Sequence, residues 1–202
     1  MRCTARYEEE ARSEGHAWVA GLDEVGRGAL CGPVVACAVI LGPDFDVTGL
    51  DDSKRLTRLQ RESLAERIRA SAAAWALGCA ESEEIDRLNI LRATHAAMGR
   101  ALDGLGRPPD IVLVDGLPVS GLRLQQKAIV KGDALSVSIA AASIVAKVHR
   151  DAMMRECDAR YPGYGLAHNM GYASEDHRLA LRKLGPSAIH RRSFQGTERW
   201  LF

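Results

Sequence analysis

Several signatures of familiar protein classes are absent from this chain of 202 residues. Its five cysteines include no C-x-x-C pair, which argues against a disulfide framework or a zinc site and fits a reducing compartment. The P-loop motif G-x-x-x-x-G-K-[ST] and the nucleophile motif G-x-S-x-G do not occur. No apolar run reaches the roughly 18 residues of a membrane span, and residues 1–16 are acidic where a signal peptide is apolar. We therefore expect a cytoplasmic domain with no membrane partner.

Lysine is also scarce, although the chain as a whole is nearly neutral. Only five of the 27 Lys and Arg residues are lysine, and from Lys147 onward ten basic residues outnumber six acidic ones. A guanidinium group matches the oxygens of a phosphate, so this arginine-rich third could contact nucleic acid. Composition alone favours the simpler explanation of a solvated basic surface.

The hydrophobic pattern predicts an α/β domain with a mixed sheet flanked by helices. Apolar runs at 18–22 and 34–41, joined by a glycine-rich turn, predict an antiparallel hairpin, and 111–114 predict a buried strand that ends at Asp115. We expect a core of residues 1–160 and a small, basic, helical extension of residues 161–202 packed on it. Further strands are predicted at 75–79 and 124–130, and helices at 5–14, after an Asp51-Asp52-Ser53 cap, from Ser82, at 90–105, at 138–157 and at 174–184.

Four carboxylates stand at predicted strand ends or in loops: Asp23, Glu24, Asp115 and Asp133. Burying several carboxylates together costs free energy unless cations neutralise them. Mg²⁺ and Mn²⁺ prefer oxygen ligands, and two such ions can activate water and stabilise the leaving oxygen of a phosphodiester. Taken singly, each carboxylate is better explained as a loop, turn or cap residue.

Gly26-Arg27-Gly28 follows the first two carboxylates. Glycines let backbone N–H groups approach a ligand closely, and arginine offers a fork of donors for phosphate. The spacing G-x-G-x-x-x-G, with acidic residues before it, differs from a dinucleotide-binding fingerprint. The alternative is a tight turn that carries a solvated arginine.

The segment 20–28 (AGLDEVGRG), followed by Gly32-Pro33-Val34-Val35, resembles the opening motif of the ribonuclease HII family, the type 2 ribonucleases H. Other segments resemble that family's later motifs, in its order, along nearly the whole chain. They are Asp52-Ser53-Lys54, Val114-Asp115-Gly116, Lys131-Gly132-Asp133, 138–147 (SIAAASIVAK), Gly171-Tyr172 and 190–194 (HRRSF). Seven motifs in order make the resemblance specific.

The resemblance implies an RNase H-like α/β fold with a C-terminal helical extension. It implies an endoribonuclease that hydrolyses the RNA strand of RNA–DNA hybrids. The same resemblance implies incision of duplex DNA 5′ to single ribonucleotides, leaving 5′-phosphate and 3′-hydroxyl ends. By position, Asp23, Glu24, Asp115 and Asp133 match the family's catalytic metal ligands, for two Mn²⁺ or Mg²⁺ ions. The first and third of these would share the ions, and Glu24 and Asp133 would each favour one.

The resemblance also implies substrate contacts. Gly26-Arg27-Gly28 matches the motif that senses the ribose 2′-hydroxyl, and Tyr172 matches the tyrosine that stacks beside the junction deoxyribose. Ser53 and Lys54 match a motif near the bound phosphate backbone. The 2′-hydroxyl distinguishes RNA from DNA, so its reader must approach closely, which glycine permits.

Some segments leave their roles open. Lys147 is expected as the polar end of a helix rather than as a substrate contact, and His190-Arg191-Arg192 as a phosphate contact or a surface anchor for the tail. Cys31 and the segment 166–170 (LAHNM) depart from the family's usual pattern, and the second departure bears on substrate preference. The final residues, 198–202 (ERWLF), could dock on a replication sliding clamp or pack back on the domain.

The expected partners are RNA–DNA hybrids and ribonucleotide-containing duplex DNA, and the chain is expected to be a monomer. Two rival functions remain at this point. One is an RNase H-like nuclease that cuts DNA alone, against which Gly26-Arg27-Gly28 and Tyr172 argue. The other is a non-catalytic module that binds hybrids, which the four carboxylates disfavour.

Overall fold

The computed structural model describes residues 3–195 and residue 197. In this part of the chain the strands are β1 (Val19–Val25), β2 (Val34–Ile40), β3 (Ala74–Ala80), β4 (Ile111–Asp115) and β5 (Gln126–Ile129). The helices are α1 (Arg6–Ser13), α2 (Arg58–Ser71), α3 (Ser82–Leu88), α4 (Ile90–Asp103), α5 (Val137–Arg160), α6 (Leu166–Asn169) and α7 (Glu175–Leu184). A 3-10 turn, Gly132–Ala134, lies between β5 and α5.

The strands form one mixed sheet in the order β3-β2-β1-β4-β5. β2 is antiparallel to both β1 and β3, whereas β1, β4 and β5 are parallel to one another. Because the carboxyl ends of parallel strands meet at one edge of a sheet, β1, β4 and β5 all end on the same side. In parallel arrangements this edge is where ligands bind.

Helices cover both faces of the sheet. Ala93, Ala97 and Ala101 of α4 are buried against one face, and the other face is covered by α2 and α5. β2 is therefore buried on both sides, as its uninterrupted apolar sequence predicts. α5 crosses β1 so closely that a Cβ at Gly21 would overlap the backbone of Ser138. The helix is thus held directly over the central strand.

The segment that follows α5 packs against the end of that helix and against the loop between β1 and β2. Leu166 and Leu181 share a buried cluster with Leu30 and Met154. This contact brings the C-terminal segment against the loop that contains Gly26-Arg27-Gly28. The division of the chain at residue 160 stays a prediction.

The mixed sheet and the antiparallel hairpin are confirmed, and two local details differ from expectation. α2 begins at Arg58 rather than after Asp51-Asp52-Ser53, because Thr57 and Gln60 exchange side-chain and backbone hydrogen bonds in a capping box. The short helix α6 was not predicted. Within residues 3–195, no helix has both the length and the apolarity needed to cross a membrane.

Candidate active site

Two carboxylates meet where β1 and β4 end. Leu22 and Val114 are register partners in this parallel pair, so Asp23 and Asp115, one residue further on, lie side by side on the same face. It is the face that α5 covers, because Gly21, two residues before Asp23, lies against that helix. Asp23 is buried, with 5% of its surface exposed, and Asp115 is half-buried.

Asp133 and Glu24 complete the cluster. Asp133 lies in the 3-10 turn after β5, and the N–H of Gly132 in the same turn donates to Oδ1 of Asp115 at 2.7 Å. This bond ties the turn to the end of β4. Lys54 reaches the cluster from the loop before α2, with its Nζ 2.7 Å from Oδ2 of Asp133. Glu24 follows Asp23 on β1.

All four carboxylates line one cavity of about 340 Å³. Ser53, Lys54 and Tyr172, which the sequence predicts as substrate contacts, line the same cavity. The remaining lining residues are Val25, Arg61, Ser143 and Lys147. The structure therefore brings together seven of the predicted site residues, drawn from β1, β4 and three loops.

The electrostatics of the cluster favour a bound cation. Burial raises the pKa of Asp23 well above its usual range, and the charges of Glu24 and Asp115 raise it further. Burial also raises the pKa of Glu24, although Arg27 opposes this, and burial followed by the charge of Asp133 raises the pKa of Asp115. Clustered carboxylate oxygens are the ligands that Mg²⁺ and Mn²⁺ bind. The residues present thus fit the divalent cations that the resemblance implies.

Ser143 of α5 lines the cavity but was not predicted as a site residue. It hydrogen-bonds Asp23, which opposes the rise in the pKa of that carboxyl, and its Oγ lies 3.0 Å from Oγ of Ser53. Helical spacing was the available signal, since Ser143, Lys147 and Arg150 recur at intervals of four and three residues and share one face. Lys147 lines the cavity while pairing with Asp151 at 2.8 Å.

Gly26 and Gly28 differ in what the fold requires of them. Gly26 has a φ of +95°, and a Cβ there would overlap the guanidinium of Arg150. At Gly28 a Cβ would meet nothing within 4 Å. Between them, the half-exposed Arg27 side chain places Nη1 3.2 Å from Oε1 of Glu24. The protein's own packing therefore explains the first glycine but not the second.

Tyr172 belongs to the same packed unit as this loop. The centroid of its ring lies 5.4 Å from Cζ of Arg150. The preceding Gly171 has a φ of +80°, its carbonyl accepts from the N–H of Leu30 at 2.8 Å, and a Cβ on it would lie 2.8 Å from the carbonyl oxygen of Cys31. Tyr172 is thus held against the β1–β2 loop through backbone contacts.

Arg191 has neither of the two roles left open for its motif. It is fully buried, and its guanidinium donates to the carbonyl oxygens of Gly26, Arg27 and Gly32. A buried side chain with these partners is neither a phosphate contact nor a surface anchor. The neighbouring Arg192 is exposed.

Comparison with known proteins agrees with this arrangement. A family model described as Ribonuclease HII matches residues 20–197. The chain belongs to the ribonuclease HII family. Ribonuclease HII from Moorella thermoacetica is 52% identical over 189 residues, which are 94% of this chain and 92% of that relative.

Solved structures with the ribonuclease HII fold cover most of the chain. Ribonuclease H2 from Pyrococcus horikoshii OT3 matches with a TM-score of 0.76 and 26% identity, over 90% of this chain and 95% of that one. The PCNA:RNase HII complex from Archaeoglobus fulgidus matches with a TM-score of 0.72 and 26% identity, over 88% and 95%. The predicted RNase H-like α/β fold is therefore confirmed.

Membership of the ribonuclease HII family makes the chain an endoribonuclease that hydrolyses the RNA strand of RNA–DNA hybrids. The predictions that the chain belongs to this family and that it is an enzyme are therefore confirmed. Both rival functions, a nuclease for DNA alone and a non-catalytic module, lose their support.

A second group of ligand-type side chains lies apart from the carboxylates. The ligand atoms of Cys31, His177 and His190 lie within 4.8 Å of one another. The N–H of Ser187 donates to Nδ1 of His190 at 3.0 Å, so the ring proton of neutral His190 is on Nε2, 3.1 Å from Nε2 of His177. Nδ1 of His177 in turn donates to the Tyr172 carbonyl at 2.9 Å. Both rings are satisfied without a metal, and burial lowers the pKa of His190 to about 4.

Proposed function

We propose that this member of the ribonuclease HII family also incises duplex DNA on the 5′ side of single embedded ribonucleotides, leaving 5′-phosphate and 3′-hydroxyl ends. Two divalent cations, Mg²⁺ or Mn²⁺, would be bound by Asp23, Glu24, Asp115 and Asp133. The observation that carries the proposal is the convergence of these four carboxylates in one cavity, with Tyr172 in its wall and the open Gly28 backbone in the adjoining loop.

The carboxylates have separate tasks in this proposal. Asp23 and Asp115, adjacent across β1 and β4, would share the ions, while Glu24 and Asp133 would each favour one. When bound, the ions supply positive charge for the phosphate and acidify water. Ser143 orients Asp23 from α5, and Gly132 orients Asp115 through its backbone N–H. These contacts hold two ligands in place before substrate binds, so little reorganisation accompanies the reaction.

The substrate contacts follow from the loop geometry. The backbone of Gly26-Arg27-Gly28 would read the ribose 2′-hydroxyl, since nothing of the protein occupies the space above Gly28. Tyr172 would stack beside the deoxyribose at the junction. Lys54, whose side chain is 78% exposed, would reach the phosphate backbone, with Ser53 buried behind it against Ser143.

Cleavage of a labelled DNA duplex that carries one ribonucleotide tests the proposal directly. We expect a single cut on the 5′ side of the ribonucleotide with Mg²⁺ or Mn²⁺ and none with a chelator. Cleavage of a continuous hybrid without cleavage of this duplex would contradict the proposed recognition of the ribonucleotide by Gly26-Arg27-Gly28 and Tyr172. It would not contradict the nuclease activity on hybrids. Metal-independent binding without cleavage of either substrate would contradict the metal site.

The variant Gly28→Ala tests the proposed recognition of the 2′-hydroxyl separately from protein stability. We expect unchanged thermal stability, because the new methyl meets nothing within 4 Å of the protein. Cleavage at a single ribonucleotide should fall about tenfold, the equivalent of one lost hydrogen bond of about 1.4 kcal/mol. Gly42→Ala is the matched control, since Gly42 is equally open but follows the end of β2, at the opposite edge of the sheet. Equal rates for the two variants would contradict the role of Gly28.

A sliding clamp is a further proposed partner. Residues 198–202 (ERWLF), on which this prediction depends, lie outside the described residues. Support comes from the tail's aromatic sequence and from the related RNase HII solved with PCNA. Deletion of residues 199–202 should lower affinity for the clamp without changing cleavage of naked substrate, as measured by surface plasmon resonance and gel assay. Unchanged clamp affinity would dispose of this partner.

A further inference from the structure

Two arginines are fully buried beneath the predicted substrate-reading loop. Arg150 comes from α5 and Arg191 from the C-terminal segment, and neither exposes any surface. Their hydrogen bonds go to backbone carbonyl oxygens. A buried cation is costly unless its donors are satisfied, so the fold retains this arrangement against a substantial desolvation penalty.

Arg191 fixes both ends of the loop that contains Gly26-Arg27-Gly28. Its Nη2 donates to the carbonyl of Gly26 at 2.7 Å, and its Nη1 to that of Arg27 at 2.8 Å. At the far end, Nε and Nη2 both donate to the carbonyl of Gly32, at 3.1 and 2.8 Å. One planar group therefore spans a loop of seven residues, which the single ammonium of lysine could not do.

Arg150 binds the end of the β1–β2 loop and the segment that precedes Tyr172. Its Nε donates to the carbonyl of Pro33 at 2.9 Å, Nη2 to that of Cys31 at 3.2 Å, and Nη1 to that of Met170 at 2.9 Å. The last contact fixes the backbone two residues before Tyr172. The two guanidinium groups thus join the glycine loop and the Tyr172 loop into one rigid surface.

Arg191 is itself held on several sides. Its backbone N–H donates to the carbonyl of Leu30 at 2.9 Å, and the centroid of the Phe194 ring lies 5.0 Å from its Cζ. His190 is tied to α7 through His177. Burial, and then the charge of Arg150, lower the pKa of Arg191 to about 10, so the group still carries its charge at neutral pH.

We infer that Arg191 is a positioning residue, which fixes the backbone of Gly26-Arg27-Gly28 so that its N–H groups meet the substrate ribose in a single register. The inference rests on the proposed 2′-hydroxyl reader. Arg191 touches no substrate; it acts through the carbonyls of the loop. In a continuous hybrid every nucleotide of the RNA strand carries a 2′-hydroxyl, so a shifted loop still meets one. A duplex with an isolated ribonucleotide carries a 2′-hydroxyl at one position only. Loss of Arg191 should therefore impair cleavage at a single ribonucleotide more than cleavage of a hybrid.

The test compares Arg191→Lys with Arg192→Lys, a change of the same type at the exposed neighbouring position. Rates are measured on the single-ribonucleotide duplex and on a continuous hybrid of the same sequence. For Arg191→Lys we expect kcat on the former to fall at least about tenfold relative to the hybrid, since misplacing a positioned group by 1 Å can cost about 10²-fold. KM and Mn²⁺ affinity should change little. Arg192→Lys should leave the ratio unchanged.

Hydrogen exchange gives a second readout that does not depend on activity. Amides of residues 26–32 should exchange faster in Arg191→Lys, while those of β1 and β4 remain protected. If Arg191→Lys does not fold, Phe194→Leu replaces it, because this change removes the ring beside the guanidinium and leaves its hydrogen bonds. The same change in the ratio of rates is then expected, in smaller degree.

Each outcome has one meaning. A folded Arg191→Lys that loses activity equally on both substrates, or keeps the wild-type ratio, would show that the arginine is only structural and would overturn the inference. If the wild-type protein does not cut at a single ribonucleotide, the proposed reader fails instead. A wild-type cut combined with an unchanged ratio in both Arg191→Lys and Phe194→Leu rejects the positioning role alone.

Discussion

Replacing Asp23 with asparagine should nearly abolish cleavage. In the presence of a chelator, however, the same change should make the protein more resistant to heat. Asp23 lies at the centre of the carboxylate cluster, and removing one preorganised charge from such a site costs about 10²–10³ in turnover. The gain in stability has a different origin. Burial, and then the charges of Glu24 and Asp115, raise the pKa of the Asp23 carboxyl well above its usual range, whereas asparagine carries no charge.

The sign of the pH dependence follows from the raised pKa. Between the unfolded and the folded pKa of Asp23, the folded state binds more protons, so the free energy of unfolding decreases as pH rises through that interval. Asp23→Asn removes this decrease. In chelator the variant should therefore melt at a higher temperature than wild type at pH 8. The difference should shrink toward acidic pH, where Asp23 takes up a proton.

Melting temperatures with chelator and with Mn²⁺ provide the measurement. Mn²⁺ should raise the melting temperature of wild type by mass action and that of Asp23→Asn much less. Asp44→Asn is the control, since it makes the same chemical change on an exposed loop residue outside the cavity. Equal or lower stability of Asp23→Asn in chelator at pH 8 would contradict the assignment of Asp23 as a buried, destabilising charge.

The largest loss of stability is expected for Gly21→Ala. A Cβ at this position would overlap the backbone of Ser138, and a helix backbone cannot rotate aside as a side chain can. Overpacking of this kind costs about 1–3 kcal/mol, or more. Moving α5 away from β1 would also displace Ser143 from Asp23, so we expect activity to fall as well. Urea denaturation and a hybrid-cleavage assay measure the two effects.

Gly99→Ala is the matched control. Gly99 lies within α4, where an added Cβ would meet nothing within 4 Å. Alanine is the better helix former by about 0.5–1 kcal/mol, so this change should raise the free energy of unfolding. Two glycine-to-alanine changes should thus have opposite signs. A Gly21→Ala protein as stable as wild type would mean that α5 does not lie on β1 as described.

The strands were predictable because their signals are local, whereas the candidate site residues came from the resemblance of short motifs to those of a family. Ile111–Asp115 is an apolar run that ends in a carboxylate, and such a run indicates a buried strand by itself. The convergence of Asp23 and Asp115 was different, since it depends on the parallel pairing of β1 with β4. Pairing between residues more than ninety positions apart, such as Leu22 with Val114, leaves no mark in a single sequence.

The burial of Arg191 could not be predicted for a related reason. Its partners are the carbonyl oxygens of Gly26, Arg27 and Gly32, and every residue type carries the same carbonyl. A carboxylate partner would have been visible as a complementary charge. The misplaced start of α2 has a simpler origin, because Asp51-Asp52-Ser53 and Thr57 are both acceptable caps and only Thr57 has a glutamine three residues later.

The use of main-chain acceptors has a consequence for how the sequence can diverge. Arg150 donates to three carbonyls, and two of them, those of Cys31 and Met170, belong to the segments predicted from the sequence to depart from the family's usual pattern. Their side chains can change while the hydrogen bonds persist, because the acceptor atoms are not encoded by residue type. The hydrogen bonds from Arg150 to these two carbonyls are therefore expected to persist when the side chains at those positions are replaced. Cys31 is fully buried and Met170 half-buried, so a substitution at Met170 can change the partly exposed side chain there without removing the backbone acceptor beneath it.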